Sequence, residues 1–174
     1  MCGQEVRDID LLLFGKLENY SLVNYYTSNP TYPKKNLKVD GFCVVIELKE
    51  HSSDSVAVSN THVHVGYQGS WKDATEQNEK QRYAFASYLE AAIGYKIYTT
   101  NFLWLKSLNK EQLVSMKSGN SIGALSAEFD FKDIVDLLIE QGLKPYYDKS
   151  DNSYHIIPNS DADFFADIKR MAII

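Results

Sequence analysis

The chain has 174 residues, long enough for one domain with a sizeable core and too short for two comfortable ones. Its composition, 44% hydrophobic, 24% charged and 13% aromatic with four prolines, excludes a disordered chain, and no apolar stretch reaches the roughly 18 residues of a membrane span. A formal charge of -5 argues against gripping nucleic acid by bulk electrostatics, yet leaves room for acids that hold a metal ion.

The N-terminus "MCGQEVRDIDLLLFGKL" carries acids where a secretory signal would carry an apolar block, so a cytoplasmic protein is expected. Val6, Ile9, Leu12, Leu13 and Leu17 fall at helical spacing, which predicts a first helix over 5–18. "SLVNYY" (21–26) reads as a strand, and "TSNPTYP" as a loop punctuated by proline. "LKVDGFCVVIELKEH" supplies one or two strands. "VAVSNTHVHVGYQ" (56–68) reads as a strand or hairpin arm broken at Ser59 and Asn60.

From Ser70 the period becomes 3.6, and "WKDATEQNEKQRYAFASYLEAAIG" is the longest predicted helix, stopped by Gly94. "YKIYTTNFLWL" follows as an inner strand, "NKEQLVSMKSG" as a short helix, and "DFKDIVDLLIEQG" (130–142) as a helix with Asp130 at its N-cap. "KPYYD" and "YHIIP" form a terminal hairpin around "KSDNS", and "DADFFADIKRMAI" a last amphipathic helix. The expected architecture is a mixed α/β domain over 1–174.

Within "CVVIELKE" (43–50) strand alternation sends Cys43, Val45, Glu47 and Lys49 one way and Val44, Ile46 and Leu48 the other. A carboxylate and an ammonium thus share one face at the end of a central strand. The plain reading is a strand leaving the core. The functional reading is a site where the carboxylate holds a hard cation and the lysine adds positive charge beside a reacting phosphate. Cys43 reads as a small buried residue, and two cysteines in all give neither a disulfide framework nor a metal spacing.

On the long helix, Ala74, Gln77, Gln81, Phe85, Tyr88 and Ala92 fall on one stripe, and two glutamines on an apolar stripe either cap a core edge or line a site. His62 and His64 share a strand face at a spacing that suits a transition metal, but without a third ligand nearby they read as a surface or stacked pair. There is no nucleophile elbow and no glycine-rich phosphate loop.

"VDGFCVVIELKE" resembles the signature of the PD-(D/E)XK nuclease superfamily, with Glu47-Leu48-Lys49 as its ExK element and Asp40 as the candidate upstream aspartate. "GQEVRDIDLLLFGKL" resembles the first helix of the nuclease-related domain (NERD) group, where an acid near the site corresponds to Glu5. "WKDATEQNEKQRYAFASYL" resembles that group's following helix, with Gln81 eight residues before Leu89. The resemblance covers 3–105 and implies a restriction-endonuclease-like mixed sheet flanked by helices, with 106–174 as a small helix-and-hairpin extension packed on it.

It further implies metal-dependent phosphodiester hydrolysis of nucleic acid, most of all DNA, with Mg2+ or Mn2+ on Glu47 and Asp40. Lys49, Glu5 and Gln81 complete the site, and a helicase module is an expected partner in a longer protein. The alternative is a catalytically inactive domain of the same fold that binds nucleic acid or a protein. Spacing favours that alternative, because Asp40 and Glu47 are seven positions apart, about 23 Å along a straight strand. If Asp40-Gly41 makes a two-residue turn, Glu47 pairs near Lys34 and Asp40 sits at the tip. A bulge at Gly41 would bring Asp40 part of the way back.

Overall fold

The computed structural model describes residues 8–16, 21–22, 37–39, 41–117, 122–140, 146–150, 153–156 and 164–171. Its main sheet has the order β1 (Leu11–Lys16), β4 (Gly41–Lys49), β8 (Thr100–Leu105), β9 (Ala124–Leu125). β1 runs antiparallel to β4, while β4 with β8 and β8 with β9 are parallel. A mixed α/β fold is therefore what the sequence forms, with β4 and β8 at its centre.

The two faces of β4 are both covered. Phe42, Val44 and Ile46 pack with Phe102, Leu125 and the apolar face of α3 (Phe131–Glu140), namely Ile134, Val135, Leu137 and Leu138. Cys43 packs on the other face with Leu89 of α1 (Ala74–Ile93) and with Ile97. Burial of the Cys43 thiol pushes its pKa up to about 12, against the opposing hydrogen bond with Thr99. Leu103 and Leu105 of β8 close a third cluster with Val63, Val65, Leu108 and Leu113, the last from α2 (Lys110–Lys117).

Between β4 and α1 the chain inserts a three-stranded antiparallel sheet, β5 (Val56–Ser59), β6 (His62–Tyr67) and β7 (Ser70–Asp73). Asn60, at φ 54°, turns β5 into β6 at the polar break seen in the sequence. The long helix therefore begins at Ala74, four residues after Ser70, because Ser70–Asp73 pairs with β6. Asp73 is its N-cap and accepts the Glu76 N–H at 2.9 Å. Gly94, at φ 85°, ends it in the left-handed conformation that glycine adopts without strain.

β2 (Ser21–Leu22), β3 (Leu37–Val39), β10 (Tyr146–Asp148) and β11 (Ser153–Ile156) form a further sheet in the order β10-β11-β3-β2. The predicted terminal hairpin is β10 and β11, and α4 (Phe164–Met171) is the last amphipathic helix. At the start of α3, Asp130 Oδ1 accepts the Asp133 N–H at 3.0 Å and Asp133 Oδ2 accepts the Asp130 N–H at 2.8 Å, a reciprocal cap on the expected residue.

One expectation is corrected, and one of the open alternatives around Asp40 loses its support. The segment predicted as a helix over 5–18 is a strand where it is described, Leu11–Lys16, because a contiguous "LLLF" run satisfies a buried strand as readily as a helical stripe and the six-pair ladder to β4 decides between them. Gly15 belongs to this solution, since a Cβ there would lie 2.7 Å from Phe42 Cζ. Secondly, β3 and β4 flank residue 40 but do not pair with each other. β3 pairs with β2 and β11, and β4 with β1 and β8, so among the described residues the two are not ladder partners as the arms of a hairpin are.

Leu138 is 1% exposed and packs from α3 against the central strands. Leu138→Ala should lower unfolding free energy by about 2–5 kcal/mol in urea denaturation. A loss below about 0.5 kcal/mol, the scale of a surface change, would contradict the described packing of α3 on β4.

Candidate functional site

β4 is apolar for most of its length, and the carboxylate it carries near its C-terminal end stays within the buried layer. Glu47 is 5% exposed, on the same face as Cys43 and Val45 and beneath the first two turns of α1. A buried carboxylate needs partners that replace water. Glu47 has three. Lys49 Nζ donates to its Oε1 at 2.6 Å, Gln77 Nε2 to the same oxygen at 2.8 Å, and Gln81 Nε2 to Oε2 at 2.6 Å.

The partners are themselves held. Gln77 Oε1 accepts a second hydrogen bond from Lys49 at 3.2 Å. Gln81 Nε2 also donates to the backbone carbonyl of Asp8 at 2.9 Å, which ties the chain ahead of β1 to the site. Behind Gln81, Asn101 of β8 donates to Asn78 Oδ1 at 2.8 Å, and Asn78, fully buried, reaches Gln81 Oε1 at 3.4 Å. The polar side chains of α1 thus form a connected row from the buried sheet to the Glu47 carboxylate.

The sequence stripe placed Gln81 correctly toward the sheet but ran one residue off. The buried positions are Ala74, Asn78, Gln81 and Leu89, whereas Tyr88 is 56% exposed and Gln77 and Ala92 are exposed. Gln77 borders the core and reaches Glu47 from its edge.

Asp10 is a site residue that the sequence reading missed. The β1–β4 register pairs Leu11 with Ile46, so one further step sets Asp10 beside Glu47. Asp10 Oδ2 accepts the Leu48 N–H at 2.8 Å. The signal was present in "DID" immediately ahead of "LLLF", but it becomes visible only when that run is read as a strand antiparallel to the ExK strand. Asp8, whose φ of 39° lies in the left-handed region that aspartate tolerates, turns the chain into this position.

Among the proposed residues, the structure brings Glu47, Lys49 and Gln81 together. Asp40 and Glu5 lie outside the described residues. Gly41, next in sequence to Asp40, begins β4 six residues before Glu47, about 20 Å along the strand.

The donor set suits a hard cation. Three of the roughly four lone-pair directions of the Glu47 carboxylate are used, one is left on Oε2, and Asp10 Oδ1 adds a second carboxylate oxygen. No group of three His, Cys, Asp or Glu residues able to hold a metal occurs among the described residues. One or two carboxylates with several waters is the usual protein share for Mg2+. His62 and His64 stack at 6.4 Å between ring centroids, and His62 Nδ1 lies 2.7 Å from Asp73 Oδ2, which matches the stacked-pair reading.

Asp73 positions the whole arrangement, because it caps the helix that carries Gln77 and Gln81. Burial opposes its ionisation, but the Glu76 N–H and the His62 ring outweigh that and lower its pKa. A depressed carboxylate contributes stability above its ordinary titration range and loses it as pH falls through the folded value. Asp73→Ala should cost about 1 kcal/mol at pH 7, with the difference from wild type shrinking as pH falls below about 3.9. Denaturation curves across that range check it; a pH-independent difference would contradict the ionic cap.

Comparison of the chain with protein-family models, with curated proteins and with solved structures gave no match.

Proposed function

We propose that the chain is a divalent-cation-dependent nuclease domain of the PD-(D/E)XK type, hydrolysing phosphodiester bonds of nucleic acid, DNA foremost. One observation carries this reading: a buried carboxylate paired with a lysine at the C-terminal end of a central strand, with Asp10 one register step away. The resemblance of the ExK strand and of the Gln81 helix to the nuclease-related domain group supports it. So does the topology, in which the ExK strand has an antiparallel neighbour, then a crossover helix, then a parallel strand.

In this reading Glu47 and Asp10 would hold Mg2+ or Mn2+, which supplies charge stabilisation at a phosphoryl oxygen and a more acidic attacking water. Lys49 spends two of its three donors on Glu47 and Gln77 and keeps one for the water or a phosphate oxygen. Its ammonium offsets negative charge that grows on phosphorus in the transition state. Gln77 and Gln81 fix the Glu47 carboxylate in place. Asp40 and Glu5 remain candidates through the resemblance alone, as does a helicase module fused to a longer chain.

A second reading has its own observation. Because Glu47 is already bonded three times within the protein, the same network serves a non-catalytic domain that keeps the fold and binds nucleic acid or a protein.

Incubation of plasmid and single-stranded DNA with the protein in Mg2+ or Mn2+ separates the two. Cutting is expected, abolished by EDTA and reduced at least about 100-fold in Lys49→Ala and in Glu47→Gln, the scale of a lost transition-state charge contact. Absent cutting with either metal, or variants that keep wild-type circular dichroism and cut as fast as wild type, would overturn the nuclease.

A further inference from the structure

On the same helix as Gln81, but nearly half a turn round it, lies a cleft of about 480 Å³. It opens between the middle of α1 and the segment entering β8, lined by Arg82, Tyr83, Glu90, Lys96, Tyr98 and Thr99 among others. Its volume falls within the range of small-molecule sites. Leu103 pairs with Glu47, and Thr99, the lining residue nearest to it in the chain, precedes it by four residues, about 13 Å along the strand.

The lining combines two cations with exposed aromatic rings. Tyr83 is 58% exposed and Tyr98 41%, large apolar surfaces presented to solvent on either side of the cleft. The Arg82 guanidinium lies over the Tyr83 ring at 4.1 Å from its centroid. Among the described residues it makes one long hydrogen bond, from NH1 to the Thr99 carbonyl at 3.4 Å, and its buried Nε finds no partner. An arginine held by an aromatic face with unspent donors is suited to a phosphate, and base faces stack on tyrosine without regard to sequence. Among the described residues that line it, Glu90 is the one carboxylate against the two cations.

We propose that this cleft binds one nucleotide of a single-stranded nucleic acid, its phosphate on Arg82 and Lys96 and its base against Tyr83 or Tyr98. The proposal rests on the nucleic-acid reading of the Glu47 site and gives that site a substrate class, a strand whose bases are unpaired near the point of attack.

The test is fluorescence anisotropy in EDTA with a labelled oligodeoxythymidine of about 12 nucleotides, within the span of small single-strand sites. Wild type should bind, more weakly as salt rises from about 50 to 200 mM. Arg82→Ala and Tyr83→Ala should weaken binding about 5- to 100-fold. Lys96→Ala should weaken it and flatten the log–log salt slope by about 0.7, one phosphate contact. Lys80→Ala, an exposed lysine of α1 paired with Glu76, should bind as wild type does.

No binding by wild type would overturn the proposal, as would cleft variants that bind like Lys80→Ala. Tyr83 and Lys96 are exposed, so their variants stay informative if Arg82→Ala fails to fold. Cutting of DNA by wild type with cleft variants unaffected in binding would sink the cleft and leave the nuclease standing. Cleft-dependent binding without cutting would do the reverse.

Discussion

A carboxylate that is 5% exposed at the end of an apolar strand has lost most of its hydration, and the structure around it is organised to replace that loss. Lys49 supplies charge from the same strand, and Gln77 and Gln81 supply neutral donors from α1. Burying one ion beside another is costly unless the remaining lone pairs are satisfied, and the two amides do that. α1 must therefore lie over β4 in one register, with its first two turns above Glu47. The helix start follows from the same demand: Asp73 ends β7 and caps α1 in one residue, so the inserted sheet delivers the helix at a fixed point.

The same constraint reaches the N-terminal side of the sheet. Gln81 has two N–H groups, and the one not spent on Glu47 goes to the Asp8 carbonyl. Asp10 follows two residues later and accepts from Leu48, the residue between Glu47 and Lys49. The edge strand β1 is thereby tied to the site at its first residues as well as by its ladder to β4. On the opposite face, Phe42, Val44 and Ile46 meet α3, so the strand that carries the chemistry is clamped by apolar packing independent of the polar network.

Much of this was legible from local pattern. The alternation of "CVVIELK" placed Glu47 and Lys49 on one face, the change of period found α1, and Gly94, Asp130 and the Ser59-Asn60 break marked real boundaries. What pattern could not supply was pairing. "LLLF" fits a helix stripe and a buried strand alike, and only contact with β4, more than 25 residues away, makes it a strand. That one ambiguity hid Asp10. Asp-Gly at 40–41 is a strong hairpin signal on its own, yet its flanking strands find partners in different sheets, where β3 pairs with β11 from near the C-terminal end. The stripe on α1 slipped by one residue because the polar Asn78, and not Gln77, is fully buried beneath the helix, bonded to Asn101.

The bonds that build the Glu47 site join residues 30, 34 and 73 positions apart, and the parallel pairing of β4 with β8 spans the entire inserted sheet and helix. Such long closures are entropically expensive and form late relative to helices and hairpins. A fragment that stops short of α1 keeps the Glu47–Lys49 pair and the Asp10–Leu48 bond but neither amide partner of the carboxylate. The network is accordingly a property of the assembled chain: a partly folded intermediate with its helices already formed would still lack it, and its appearance during refolding would mark the arrival of long-range order.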